Sequence, residues 1–149
     1  MSYRGVMRSS SAEETDPKVH VPVPTILVVD DDPVSRLVAV HALARMPFET
    51  RVVQASGGSE ALSIIRRRRP DLVVLDIIMP DMDGIEVCRR LRAGQQTGTT
   101  PVLILTGNFD EASRARAFLM GTDEYMTKPL SVPELHARTR RLLNRNYDC

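Results

Sequence analysis

Four apolar runs in the sequence each end on polar side chains that could act on phosphate or hold a metal ion. The run ends are Asp30, Asp31 and Asp32 after Ile26–Val29, Asp76 after Leu72–Leu75, Thr106 after Val102–Leu105, and Lys128 after Glu124–Thr127. Carboxylates with a hydroxyl and an ammonium, and with no cysteine or histidine among them, form a hard oxygen site that suits Mg2+ rather than Zn2+. The same groups match the oxygens of a phosphoryl group during transfer, and one carboxylate could become an aspartyl phosphate. The residue types alone do not say which carboxylate that would be.

The stretch from Pro70 to Gly84 reads PDLVVLDIIMPDMDG and carries the most informative of these carboxylates, Asp76. Its apolar part, Leu72–Leu75, contains no polar residue, as expected for a parallel strand buried on both faces. An ionised carboxylate at the end of such a strand is costly unless a cation, a metal ion or a reaction compensates it. Alternatively, Asp76 could be a turn or helix-capping aspartate. Because three other apolar runs also end on polar side chains, we favour a role in metal binding or catalysis.

The apolar runs belong to an alternation of strands and helices that begins near Thr25. The predicted strands are 26–29, 51–55, 72–75, 102–105 and 124–127, and the predicted helices are one opening at Pro33 and those over 59–68, 85–92, 110–120 and 132–143. The helix from Pro33 shows helical spacing of Val34, Leu37, Val38, His41, Ala42 and Ala44. Such alternation requires parallel pairing and right-handed crossovers, so we predict an α/β fold with a doubly wound five-stranded parallel sheet and five helices. Because ligands of such sheets bind beyond the carboxyl ends of the strands, the four run ends should meet there.

Length and composition indicate one domain of ordinary charge. The chain has 149 residues, 42% hydrophobic and 26% charged, with a formal net charge of +1. We predict a flexible leader over residues 1–24, a domain over 25–145 and a C-terminal tail over 146–149. The four arginines of 66–69 lie at a predicted helix C-terminus, where cations complement the helix dipole, so we expect no direct nucleic-acid partner.

The sequence also indicates where in the cell the protein is expected to be. No apolar run approaches the roughly 20 residues of a membrane span, and the N-terminus lacks the apolar stretch of a signal peptide. Cys88 and Cys149 have neither metal-ligand spacing nor the density of a disulfide framework. We therefore expect a cytoplasmic protein with no membrane partner.

Four motifs together resemble one known family. In chain order they are VVDDD, VVLDIIMPDMDG, LILTG and EYMTKPL. At these spacings they resemble the receiver domain of two-component response regulators, of the CheY-like kind, and the match covers nearly all of Thr25–Asn144. The resemblance implies a flavodoxin-like strand order of 2-1-3-4-5. It also implies a protein that accepts a phosphoryl group from a histidine kinase or phosphotransfer protein and signals to a downstream protein target. Apart from self-phosphorylation and self-dephosphorylation it would not be an enzyme, and phosphorylation could drive homodimerisation.

The resemblance assigns the acceptor and the metal ligands. Asp76 would be the phosphoacceptor, and Mg2+ would be held by Asp30, Asp31, Asp76 and the backbone carbonyl of Ile78. The strand pattern by itself leaves open whether the acidic pair is Asp30 with Asp31 or Asp31 with Asp32, and the family pattern favours the first pair.

The resemblance also assigns the phosphoryl contacts and the switch. Thr106 and Lys128 would contact phosphoryl oxygens, and the peptide bond between Lys128 and Pro129 would be cis. On phosphorylation Thr106 would move toward the phosphoryl group while Tyr125 turns inward, which would change the face formed by the fourth helix, fifth strand and fifth helix. We further hypothesise that the apolar side chain of Ile78 hinders an attacking water and slows dephosphorylation.

Two alternatives remain at this point. A haloacid-dehalogenase-type phosphatase would use Asp30 as nucleophile, with Asp32 and Val34 completing its opening motif, but it needs a later acidic cluster and leaves Asp76 unexplained. A receiver that docks without phosphorylation usually lacks an acceptor, lysine or acidic pair, all of which are present here. The sequence runs only six residues beyond Leu143, so the chain would be either a stand-alone receiver or a piece of a longer regulator.

Overall fold

The structure is a computed structural model that describes residues 22–107 and 110–147. The predicted leader therefore lies almost wholly outside the described residues, and so do the last two residues of the predicted tail. The strands are β1 (Thr25–Val29), β2 (Arg51–Ala55), β3 (Leu72–Leu75), β4 (Val102–Thr106) and β5 (Glu124–Thr127). The helices are α1 (Pro33–Ala44), α2 (Gly58–Arg68), α3 (Gly84–Ala93), α4 (Glu111–Leu119) and α5 (Val132–Tyr147). Helix α5 continues to Tyr147 rather than ending at Leu143 as predicted.

The five strands form one parallel sheet in the order β2-β1-β3-β4-β5, which confirms the predicted fold. This order makes β1 and β3 neighbours, with Val29 opposite Leu75. The next residues, Asp30 and Asp76, therefore leave the sheet side by side. The Asp76 amide continues the ladder by donating to the Val29 carbonyl at 3.0 Å.

Two apolar layers cover the two faces of the sheet, because side chains alternate between faces along each strand. One layer joins β-strand residues to α2 and α3, and includes Leu27, Val29, Val73, Leu75, Ile64, Ile65, Ile85 and Leu91. The other joins them to α1 and α5, and includes Ile26, Val28, Leu72, Val74, Ala39, Leu43, Leu135 and Leu142. Since both faces are buried, the strands read as continuous apolar runs and the polar residues are left at their ends.

Helix α1 forms as predicted, but it presents to solvent most of the residues that mark its helical spacing. Val34, Leu37 and Val38 are 69%, 48% and 49% exposed. The sheet instead receives the neighbouring stripe of Ala39, Ala42 and Leu43. Helix α1 is thus apolar on two adjacent stripes, and the sheet and α5 cover only the stripe that is rich in alanine. An uncovered apolar stripe remains on the surface.

Candidate functional site

Asp30, Asp76 and Lys128 meet at the carboxyl edge of the sheet. The Lys128 ammonium donates to Oδ2 of Asp30 at 2.8 Å and to Oδ2 of Asp76 at 3.1 Å. Both carboxylates are buried, with Asp30 5% and Asp76 8% exposed. One ammonium cannot neutralise two carboxylates, so this group keeps one net negative charge and remains able to attract a further cation.

Lys128 is held at this position by the strand next to its own. Its backbone amide donates to the carbonyl of Thr106 at 2.8 Å, and its peptide bond to Pro129 is cis. Burial acts to lower the pKa of Lys128, but the hydrogen bond to Asp30 and the charge of Asp76 outweigh it and raise the pKa above its ordinary value. The side chain is therefore a cation at neutral pH.

The loop after β1 is fixed by contacts that the sequence motifs did not reveal. Oδ1 of Asp30 accepts from the Asp32 amide at 3.0 Å, and the Asp30 carbonyl accepts from the Arg36 guanidinium at 2.8 Å. Arg36 also donates to the Gln54 side chain at 3.0 Å, which links α1 to β2. The only sequence signal for this role is an arginine four to six residues after the acidic residues.

Asp32 serves a different purpose from its two neighbours. Its carboxylate accepts from the Ser35 amide at 3.1 Å and caps α1, whose first residue is Pro33. This hydrogen bond lowers the pKa of Asp32. Asp31, which lies between Asp30 and Asp32, is exposed. The three tandem acids therefore divide into a buried partner of Lys128, an exposed carboxylate and a helix cap.

Asp76 is in close contact with both ends of the segment that follows it, near Ile78 and at Gly84, the first residue of α3. The Ile78 amide donates to Oδ1 of Asp76 at 3.3 Å, while the Ile78 side chain is 60% exposed. At the other end of the loop, a Cβ on Gly84 would lie 2.1 Å from the Asp76 carbonyl oxygen. Only glycine allows this approach, a requirement that the sequence reading of the Asp-Gly turn did not identify.

Thr106 ends β4 at the same edge and is 1% exposed. Its strand partner is Thr127, the residue before Lys128. The hydroxyl residue and the lysine are therefore carried by adjacent strand ends, as the pattern of run ends predicted.

The two buried carboxylates can accommodate a magnesium ion. Within residues 22–107 and 110–147, no group of three or more His, Cys, Asp or Glu side chains is arranged as a ready-made metal site. However, Asp30 and Asp76 already converge on one cation, the ammonium of Lys128. Mg2+ commonly binds through one or two carboxylates and completes its shell with water and phosphate oxygens. The residues present fit such an ion.

Tyr125 links β5 to α4. It is 8% exposed, and its ring centroid lies 6.4 Å from that of Phe118, at an angle of 34°. Burial, with a further contribution from the charge of Asp110, raises the pKa of the Tyr125 phenol. Phe118 is itself 41% exposed, with the Arg114 guanidinium 5.2 Å from its ring centroid. The aromatic pair therefore connects a buried strand position to the surface of α4.

This fold is that of a response regulator receiver domain, and comparison with known proteins agrees. The family model for the response regulator receiver domain matches residues 26–140. The chain belongs to this family, which confirms the resemblance seen in the motifs. The membership gives no support to the phosphatase alternative with Asp30 as nucleophile.

Individual relatives show the extent of the similarity. The alkaline phosphatase synthesis transcriptional regulatory protein PhoP of Bacillus subtilis is 41% identical over 121 residues, which are 81% of this chain and 49% of that protein. The DNA-binding response regulator MtrA of Mycolicibacterium smegmatis is 42% identical over 123 residues, 83% of this chain and 52% of that protein. The chain thus spans about half the length of the curated relatives it matches.

A solved structure shows the same similarity in three dimensions. The crystal structure of a two-component response regulator of the LuxR family from Aurantimonas sp. SI85-9A1 has a TM-score of 0.75 and 31% identity, covering 83% of this chain and 87% of that chain. None of the helices in the described parts of the chain has the length and apolar character needed to cross a bilayer.

Proposed function

We propose that this chain is a phosphorylation-switched receiver that accepts a phosphoryl group on Asp76 from a histidine kinase or phosphotransfer protein, with Mg2+ as cofactor. The observation that carries the proposal is the shared contact of Asp30 and Asp76 with the Lys128 ammonium. It joins the proposed acceptor carboxylate and a second buried carboxylate to one partly exposed cation. The cytoplasmic location expected from the sequence remains a prediction.

The proposed reaction transfers a phosphoryl group from a donor nitrogen or acyl oxygen to a carboxylate oxygen of Asp76. The new P–O bond forms as the bond to the donor breaks, and the donor keeps the electron pair of that bond. Asp30, Asp31, Asp76 and the Ile78 carbonyl are the proposed ligands of Mg2+, which when bound would neutralise charge on the phosphoryl oxygens. Lys128 would stabilise another phosphoryl oxygen as a fixed cation, and the Thr106 hydroxyl would donate to a third.

The proposed output is a change in the face formed by α4, β5 and α5. A phosphoryl group on Asp76 adds negative charge and strong hydrogen-bond acceptors beside Lys128 and Thr106. Thr106 ends β4, and β4 pairs with β5 through Ile104 and Tyr125. A shift of Thr106 toward the phosphoryl group would therefore favour a different packing of Tyr125 against Phe118, and a partner that reads this face would sense the change.

The exposed stripe of α1 supports a protein as the phosphodonor. Val34, Leu37 and Val38 line a surface groove together with Val132 at the start of α5. A second depression continues from Val34 and Val38 to Lys128. Contiguous exposed apolar surface commonly marks a protein-binding site, and this one leads directly to the proposed acceptor site. We propose that a protein donor docks here and presents its phosphohistidine to Asp76.

Intact mass spectrometry after incubation with Mg2+ and acetyl phosphate tests the proposed function. The wild-type protein should gain the mass of one phosphoryl group, and Asp76→Asn should gain none. Asp110→Asn is the matched control, since Asp110 is an exposed cap of α4 outside the loop that follows Asp76 and should not affect labelling.

Two results would count against the proposal. Equal labelling of wild type and Asp76→Asn would reject Asp76 as the acceptor. No labelling of folded wild type would favour the alternative of a receiver that docks without phosphorylation.

A further inference from the structure

The loop between β3 and α3 is attached to a second helix through Asp81. Oδ1 of Asp81 accepts from the Gly58 amide at 3.1 Å and Oδ2 accepts from the Ser59 amide at 2.9 Å. These amides open α2, whose preceding residue is Gly57 and supplies no side-chain cap. A carboxylate more than twenty positions away in sequence therefore caps this helix.

The pair Gly57-Gly58 makes room for this attachment. A Cβ on Gly57 would lie 2.9 Å from Oδ1 of Asp81, and a Cβ on Gly58 would lie 2.9 Å from the Cβ of Met82. Gly57 has an extended backbone with φ of −171°, which any residue can adopt. The two glycines are required for the close approach of the loop and not for an unusual backbone conformation.

The same loop contacts the carboxylate that we propose as the phosphoacceptor. The Ile78 amide donates to Oδ1 of Asp76 at 3.3 Å, and the Gly84 amide donates to the Ile77 carbonyl at 2.8 Å. Both of these contacts lie within the segment from Asp76 to Gly84. The hydrogen bonds of Asp81 are different because they tie the middle of the loop to a separate helix.

We propose that Asp81, seated against Gly57-Gly58, is a positioning residue of the phosphoryl-transfer site. It holds the loop so that the backbone of Ile78 faces Asp76 in the geometry that Mg2+ requires. This inference rests on the proposed function, in which the Ile78 carbonyl is a metal ligand. Asp81 itself touches neither the metal nor the phosphoryl group, and it acts through the loop.

The dissociation constant for Mg2+, measured by isothermal titration calorimetry, tests this role without any phosphodonor. Asp81→Ala should weaken Mg2+ binding on the order of tenfold, the effect usual for residues that orient metal ligands. Asp81→Asn keeps one acceptor oxygen and should lie between Asp81→Ala and wild type. Asp110→Ala is the matched control, because the Asp110 carboxylate also accepts from an amide at the start of a helix, that of Ala112 in α4, and lies outside the loop. Its Mg2+ affinity should equal that of wild type even though it loses a cap.

A double-mutant cycle with Gly57→Ala tests whether the glycine acts through the carboxylate. In the wild-type background the added Cβ should displace Asp81 and weaken Mg2+ binding several-fold. In the Asp81→Ala background the carboxylate is gone, so Gly57→Ala should change the affinity little. Additive effects of the two substitutions would overturn the proposed contact.

The remaining outcomes separate this inference from the proposed function. Wild-type affinity for Mg2+ in folded Asp81→Ala and Asp81→Asn would overturn the positioning role while leaving the acceptor assignment untouched. Failure of the wild-type protein to bind Mg2+ would overturn both. Tenfold weaker binding in Asp110→Ala as well would show a general effect of lost helix caps and would also reject the role of Asp81.

Discussion

The Lys128 ammonium lies 3.1 Å from the Asp76 carboxylate, although the two residues are 52 positions apart in the chain. The same ammonium lies 2.8 Å from Asp30. The carboxylate that we propose as the acceptor is therefore already paired with a cation before any phosphoryl group arrives. To bind the Lys128 ammonium, the incoming phosphoryl group would have to add to or replace the contacts that these two aspartates make with it.

Replacing Lys128 by Gln should destabilise the protein in the absence of metal. The change leaves two buried carboxylates without their common cation, and we expect a loss of roughly 1–3 kcal/mol because the lysine side chain is partly exposed. Mg2+ should restore more stability to Lys128→Gln than to wild type, since it would neutralise charge on the same carboxylates. Urea unfolding with and without Mg2+ measures both effects.

Arg67→Gln is the control for loss of a positive charge, because Arg67 is exposed near the end of α2. It should change the free energy of unfolding by less than about 0.5 kcal/mol. Equal losses in the two variants would contradict the interpretation of Lys128 as the compensating charge.

Replacing Gly84 by Ala should disturb both folding and the acceptor. The added Cβ would lie 2.1 Å from the Asp76 carbonyl oxygen, so the backbone must move at a cost of about 1–3 kcal/mol. Labelling by acetyl phosphate should fall in the protein that remains folded. Gly107→Ala is the control, since its Cβ would meet nothing within 4 Å in the described part of the chain. A Gly84→Ala protein as stable and as well labelled as Gly107→Ala would refute the packing argument.

Replacing Ile78 by Asn should shorten the lifetime of the phosphorylated protein. The exposed isoleucine side chain follows Asp76 by two residues, where an amide could orient a water that the alkyl group excludes. We expect decay to accelerate roughly threefold to tenfold, equivalent to up to about 1.4 kcal/mol of barrier. Loss of the phosphoryl mass over time gives the rate. Ile78→Leu keeps an apolar side chain and should decay as wild type does, and unchanged decay in Ile78→Asn would disprove the hypothesis.

Replacing Leu37 by Glu should slow phosphorylation by a protein donor but not by a small-molecule donor. Leu37 lies on the exposed stripe of α1. The new charge should weaken docking of a phosphorylated histidine phosphotransfer protein. The rate of phosphoryl transfer from that protein should fall about tenfold or more, as expected for an interface anchor. Labelling by acetyl phosphate should stay at the wild-type level because the site itself is intact.

Leu119→Glu serves as the comparison, since Leu119 is 79% exposed at the end of α4. Leu119→Glu should accept the phosphoryl group at the wild-type rate from both the histidine phosphotransfer protein and acetyl phosphate. Donor docking on α1 would be contradicted if Leu37→Glu and Leu119→Glu slowed transfer from the phosphotransfer protein equally, or if neither slowed it.

The sequence alone determined the class of fold and the edge at which the site lies. The five runs alternate with helices, and parallel strands joined by right-handed crossovers bring their carboxyl ends to one edge. The polar run ends Asp76, Thr106 and Lys128 could therefore be placed together without coordinates. The strand order came from the family resemblance, because local periodicity carries no information on which strands are neighbours.

Only the tertiary structure decided the partners of individual side chains. It showed that Asp30 contacts Lys128, 98 positions away in the chain. It also showed that Asp81 caps α2 and that Arg92 binds the carbonyls of Gly98, Thr100 and Gly121. Sequence patterns report local spacing and burial, whereas these contacts join residues from different elements whose distance depends on how the helices pack on the sheet. The exposed stripe of α1 has the same cause, since the pattern predicts an apolar helix but packing selects which stripe is covered.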